Sequence, residues 1–143
     1  MKKLMCTATD FIDCVFSGVV KQGQFWGRTP EYLPRRVNRY DGNDLSGLDF
    51  RDVDFRCGVD LTRQTLPGGP EYAYVIDAEQ AIQQARRIIV ESWPDEEKCK
   101  DGLGFLGVLE GVVSEGQRQL IMRRSKKDDT ANAVLDLIVS YAH

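Results

Sequence analysis

Large apolar residues stand five apart at Tyr40, Leu45, Phe50 and Phe55, and after one extra residue the spacing resumes at Leu61 and Leu66. Helices repeat every three or four residues and strands every two, so a spacing of five belongs to neither. A sustained period of its own marks repeated structural units, each burying its apolar face only against its neighbours. The same beat places Phe11 and Phe16 near the start of the chain. Its next position falls on Lys21, so a one-residue deletion puts Val20 there, with Phe25 five residues later. Between the two tracts, residues 27–39 hold Pro30, Pro34 and a run of charges, the composition of a surface loop. Insertions of this kind are where repeat proteins often meet partners.

The pattern changes after Pro67-Gly68-Gly69-Pro70, which stops the repeat. Glu71 to Ile76 alternates as a short strand or link does. Asp77 then opens a helix, with Gln80 three residues on as in a capping box. Ala78, Ala81, Ile82, Ala85, Ile88, Ile89 and Ser92 form its stripe, and Pro94 ends it after Trp93. A second helix starts at Pro94-Asp95-Glu96-Glu97, acids first as the helix dipole prefers, and runs on toward Ser125 unless Gly116 breaks it. Gly104, Gly107 and Gly111 line one of its faces, which predicts either close approach of another backbone or a kink. Arg123 to Lys127 reads as the basic end of that helix. The last helix runs from about Asp129 to Tyr141, with Ala131, Val134, Leu135, Ile138 and Ala142 as its apolar stripe. The second and third helices are expected as an antiparallel pair against the first.

Within the repeat, NDLSG, LDFRD and VDFRC are close copies of one unit, and TDFID and CVFSG are looser ones. These segments resemble the pentapeptide-repeat family. The resemblance implies a right-handed quadrilateral β-helix with four pentapeptides to each square coil. The central Leu or Phe, and the residue two before it, then point inward. That places Phe11, Phe16, Phe25, Tyr40, Leu45, Phe50, Phe55, Leu61 and Leu66 in the core. It implies an α+β fold: a short N-terminal β-helix of about two coils over 1–70, with the inserted loop 27–39, and about three C-terminal α-helices over 71–143 packed on it as a cap. The helix after Asp77 is expected to cover the open end of the coil.

Composition adds limits. With 42% apolar and 29% charged residues in 143, the chain has the make-up of an ordinary globular domain. A net charge of -3 argues against nucleic acid as a partner. The start lacks the apolar run of a secretory signal, and Leu103 to Val113 is too short to span a bilayer, so a cytoplasmic protein with no membrane partner is expected. Cys6, Cys14, Cys57 and Cys99 are scattered, without a C-x-x-C pair, and read as buried free thiols; no metal or cofactor is expected. The single histidine, His143, is terminal, which removes Ser/His and Cys/His nucleophile pairs. No G-K-[ST] follows a glycine turn. The repeat itself accounts for Asp44, Asp49, Asp54 and Asp60, which diverge onto different faces instead of converging as a catalytic pair. No catalytic residue is assigned.

What remains is surface. The outward Asp41, Asp44, Asp49, Arg51, Asp52, Asp54, Arg56 and Asp60 are candidate contacts for a partner, expected to be a basic protein. The favoured reading is a non-catalytic binding module, specifically a bacterial immunity protein that neutralises a cognate toxin. One alternative is a DNA mimic protecting DNA gyrase, a role known among pentapeptide-repeat proteins. Another is a small enzyme or ligand-binding protein, with Trp26, Tyr32, Tyr72, Tyr74 and Trp93 lining a pocket between the two parts. An exposed first coil near Phe11 would also allow a homodimer.

Overall fold

The computed structural model describes residues 4–34 and 36–141, and over these the chain is mixed α+β, with nine short strands and three helices. Met1, Lys2, Lys3, Arg35, Ala142 and His143 lie outside the described residues.

In the N-terminal half, β1 (Leu4–Cys6), β4 (Gly23–Trp26) and β7 (Val53–Arg56) pair side by side in parallel. The two-residue β2 (Phe11–Ile12) pairs in parallel with β5 (Tyr40–Asp41), and β3 (Val15–Val20) with β6 (Asp44–Phe50). The register follows the five-residue beat. Phe11 lies opposite Tyr40, Val20 opposite Phe50, and Phe25 opposite Phe55. Val20 thus stands where the deletion in the repeat predicts. Cys6, opposite Phe25, extends the beat one unit earlier than Phe11.

All nine residues expected in the core pack together in one apolar cluster, with Phe11, Phe16 and Leu66 at its partly buried margin. The Phe25 and Phe55 rings stack at 5.2 Å, and Phe11 meets Phe16 and Phe25 edge-on at 5.2 and 6.2 Å. Each fully buried aromatic of this kind stabilises the fold by about 2–3 kcal/mol. Two buried amides tie successive strands together where the ladder stops. Asn43 Nδ2 donates to the Phe11 carbonyl at 2.9 Å, and its Oδ1 accepts from Cys14 N–H. Asn38 Nδ2 donates to the carbonyls of Thr7 and Trp26. Gly27 marks the closest backbone approach: a Cβ there would lie 2.6 Å from the Cys57 carbonyl oxygen.

The expected link after Glu71 is β8 (Tyr72–Val75), and its partner is a strand the sequence pattern does not reveal. β9 (Leu120–Arg123) runs antiparallel to it, with Tyr74 opposite Ile121 and Val75 opposite Leu120. Strand alternation sends the two faces of this pair to different cores. Tyr72, Tyr74 and Ile121 pack on the cluster of the N-terminal strands. Ala73, Val75, Leu120 and Met122 pack on the helices. The β8–β9 pair therefore covers the end of the strand stack. The helix expected in that place, α1 (Ala78–Ser92), stands behind it, with Ala78, Ala81, Ile82, Ala85 and Ile89 in the helical core.

Capping follows the sequence signals: the Asp77 carboxylate accepts from Gln80 N–H, and Trp93 closes α1. The Asp95 carboxylate accepts from Glu97 and Lys98 at the start of α2 (Glu96–Ser114). This helix is continuous, and Gly116 in the left-handed region (φ 105) stops it. The expectation of close backbone approach at its glycines fails. Gly104, Gly107 and Gly111 have nothing within 4 Å of where a Cβ would stand. The basic run from Arg123 begins at the end of a strand, and α2 reaches α3 (Asp129–Tyr141) only through β9. Val134, Leu135 and Ile138 on α3 complete the helical core, as their spacing predicts.

Candidate functional site

The outward charged residues are held by their own neighbours. Along one edge of the stack, Asp10 pairs with Arg36 at 2.7 Å and accepts from Arg39 N–H at 2.8 Å. Arg39 and Arg63 both pair with Asp41, at 3.4 and 2.9 Å, and Arg63 reaches Asp60 at 3.6 Å. The result is a row of alternating sign across successive strands. Elsewhere Asp49 takes both Arg51 and Arg123, and Arg56 bridges Asp54 and Glu115. Asp44 and Asp60 close identical small turns, each accepting from the backbone N–H and hydroxyl two residues on, Ser46 and Thr62.

These contacts favour the ionised acids. The Arg39 backbone N–H holds the Asp10 carboxyl below the usual carboxylate range, the Arg63 guanidinium does so for Asp41, and the Ser46 hydroxyl for Asp44. Of the eight contact candidates from the sequence, Asp41, Asp49, Arg51, Asp54, Arg56 and Asp60 are in ion pairs. Asp44 is held by Ser46, and Asp52 has no ion pair among the described residues. The acid surplus that suggested a basic partner is therefore largely matched within the chain.

The five aromatic candidates do not meet. Trp26 lies half-buried on β4, its indole N–H donating to Gln24. Tyr72 and Tyr74 fill the base of the strand core, and the Phe50 N–H donates to the Tyr72 hydroxyl at 3.1 Å. Trp93 packs in the helical core, where its ring lies beside Gly102. Tyr32 is exposed at the tip of the insertion. A cleft of about 300 Å³ does lie between the strand stack and the helices, but it is bounded by Asp52, Asp54, Phe105, Met122, Arg123 and Asp128. Its lining carries both signs, with Arg51 and Arg123 beside Asp52, Asp54 and Asp128.

The thiols are dispersed as free cysteines, and burial pushes those of Cys6 and Cys57 up. Among the described residues no group of three or more His, Cys, Asp or Glu stands close enough to hold a metal ion. No described helix is long and apolar enough to cross a membrane.

The described residues of the insertion pair as the two arms of a hairpin. Gly27 O accepts from Asn38 N–H, and Thr29 N–H donates to Arg36 O, both at 2.9 Å. The Thr29 hydroxyl donates to Pro34 O at 2.8 Å and accepts from Arg36 N–H at 3.0 Å, bracing the loop across its waist. At the tip Leu33 N–H reaches Pro30 O.

Comparison of the chain with family models, with curated proteins and with solved structures finds no match.

Sequence reasoning overlooked a set of glutamines that seals the junction. Gln117 is fully buried, and its Oε1 accepts from Gly58 and Val59 N–H while its Nε2 donates to Val59 and Gln119 carbonyls. Gln119 accepts from Leu61 N–H; within the strand half itself, Gln64 Nε2 donates to the carbonyls of Tyr40 and Asp60. Each satisfies backbone far away in sequence, and no local pattern signals that.

Proposed function

We propose that the protein is a non-catalytic protein-binding module, built as a short pentapeptide-repeat-like coil closed by a helical cap, and that it acts as an immunity protein neutralising a cognate toxin by direct contact. The observation that supports this best is the ordered outer surface. Its charged side chains are fixed in rows by one another and by the strands beneath them, across Asp10, Arg39, Asp41, Arg63 and Asp60. A surface ordered before binding loses less side-chain entropy on complex formation. Parallel strands at matching register, with aromatic residues stacked on aromatic residues, give that surface a stiff support. The immunity role is a functional analogy for a small platform of this kind.

The same rows weigh against the DNA-mimic reading. A mimic of duplex DNA presents uncompensated negative charge at phosphate-like density. Here acids alternate with arginines.

The test is co-expression with the product of the adjacent gene. The expected result is a stoichiometric complex by size-exclusion with light scattering, and relief of the growth arrest caused by that product alone. A neighbour-encoded product that is harmless alone and forms no complex at micromolar concentration would remove the basis of the proposal. Protection of gyrase supercoiling from inhibitors would replace it with the mimic reading.

A further inference from the structure

Resting on the reading of the chain as a protein-binding module, we infer that its contact element is the hairpin 27–39, which presents Tyr32 and Arg28 to an acidic cleft of the partner protein. Three observations converge there. The first is exposure. Tyr32 is 80% exposed and is the only exposed aromatic side chain among the described residues; Val37, on the returning arm, is 78% exposed. Tyrosine and arginine are the residue types most enriched at binding hot spots.

The second is charge. The segment carries four arginines, Arg28, Arg35, Arg36 and Arg39, against the single acid Glu31. The rest of the chain then holds 15 cations and 21 acids, so a net +3 hairpin rises from a net -6 body. Arg36 and Arg39 pair back onto Asp10 and Asp41, whereas Arg28 has no ion-pair partner among the described residues. Beside it, Arg28, Thr29, Glu31, Arg36 and Val37 bound an open cavity of about 330 Å³. Its size suits one or two partner side chains; with Arg36 held by Asp10, the Arg28 guanidinium is the group that suits a carboxylate, which arginine binds through two parallel hydrogen bonds.

The third is preorganisation. The arms are tied by the Arg28–Val37 bridge and by the Thr29 hydroxyl. The base is anchored by Asn38, buried and bonded to Thr7 and Trp26, and by Gly27 packed on the backbone of Cys57. A loop fixed in advance binds with less entropy lost. Nucleic acid fits the hairpin less well. Binding to a phosphate backbone needs several contacts, and the surrounding net negative body repels it.

The experiment measures the affinity of the purified chain for the neighbour-encoded product by interferometry, for wild type, Tyr32→Ala, Arg28→Glu and Asp52→Asn. Both hairpin residues are exposed, so unchanged thermal midpoints are expected and serve as the folding control. The expected result is weakening of about tenfold or more for Tyr32→Ala and for Arg28→Glu. The Arg28→Glu loss should fall on the association rate and shrink with added salt. Tyr32→Phe should keep most of the affinity. If wild type binds and both hairpin variants bind equally well, or only Asp52→Asn weakens, the hairpin assignment is overturned and the binding-module reading stands. If wild type forms no complex, both fall. Wild-type binding to a 20-base-pair duplex by fluorescence anisotropy, abolished by Arg28→Glu, would also overturn the assignment in favour of a nucleic-acid contact.

Discussion

Gln117→Leu offers a sharp test of how the two halves are joined. The side chain is fully buried, and leucine replaces its volume but none of its four hydrogen bonds. Gly58 is exposed, so water can replace the partner of its N–H. Val59 is only 2% exposed, and its N–H and carbonyl both lose Gln117 as partner, at 2.9 and 2.8 Å in the native fold. A buried backbone group left unpaired costs about 1–3 kcal/mol, so two of them cost about 4 kcal/mol. Domains of this size are stable by about 5–15 kcal/mol, and about 4 kcal/mol corresponds to a fall of roughly 12–15 °C in Tm. Urea unfolding monitored by tryptophan fluorescence and circular dichroism reads the loss directly. Gln119→Leu, which removes only the acceptor for Leu61 N–H, should cost about 1–2 kcal/mol. A loss below about 1 kcal/mol in Gln117→Leu would mean that water reaches Val59 and that the glutamine is not a seal.

Further outcomes follow from single positions. Gly27→Ala should destabilise by about 3 kcal/mol or more, because its Cβ would fall within 2.7 Å of three backbone atoms of the next layer; retention of the wild-type Tm would refute that close approach. Gly104→Ala and Gly107→Ala should each stabilise by about 1 kcal/mol, since both lie in a continuous helix with open space around them, and a loss of stability in chemical denaturation would restore the reading of a packed glycine face. The carboxyls of Asp10, Asp41 and Asp44 are all held low in the folded state, so their contribution is present above the ordinary carboxylate range and is lost as pH falls through it. Stability should therefore hold from pH 7 to about 5 and drop below about 4, with a shallower drop in Asp41→Asn; an acid profile identical in the variant would dismiss the Arg63 contact as its cause.

How much of this was legible in the sequence depends on the range of the interaction that fixes each part. The five-residue beat placed the strand core because each unit packs against its counterpart in the paired strand, and that repetition is written locally. It even extended to Cys6, which lies five before Phe11 and opposite Phe25. Helix α1 was legible for the same reason: its cap, stripe and stop lie within 17 residues, from Asp77 to Trp93. The junction was not legible. β9 holds four residues, and its strand character comes from pairing with β8, some 50 positions earlier. A four-residue run after a helix carries too little period to be told from the tail of that helix.

The candidate site was misread for a related reason. Counting outward acids along the repeat gave an acidic face, because the arginines that neutralise it arrive from three places. Arg51 and Arg56 are two residues from their acids, but Arg63 lies 22 from Asp41, Arg36 lies 26 from Asp10, and Arg123 lies 74 from Asp49. Sequence spacing showed the nearest pairs and hid the distant ones. Once those pairs are formed, Arg36 and Arg39 of the insertion are matched as well, and Arg28 is its one described arginine without an ion pair. The proposed contact is accordingly assigned to the segment that interrupts the repeat.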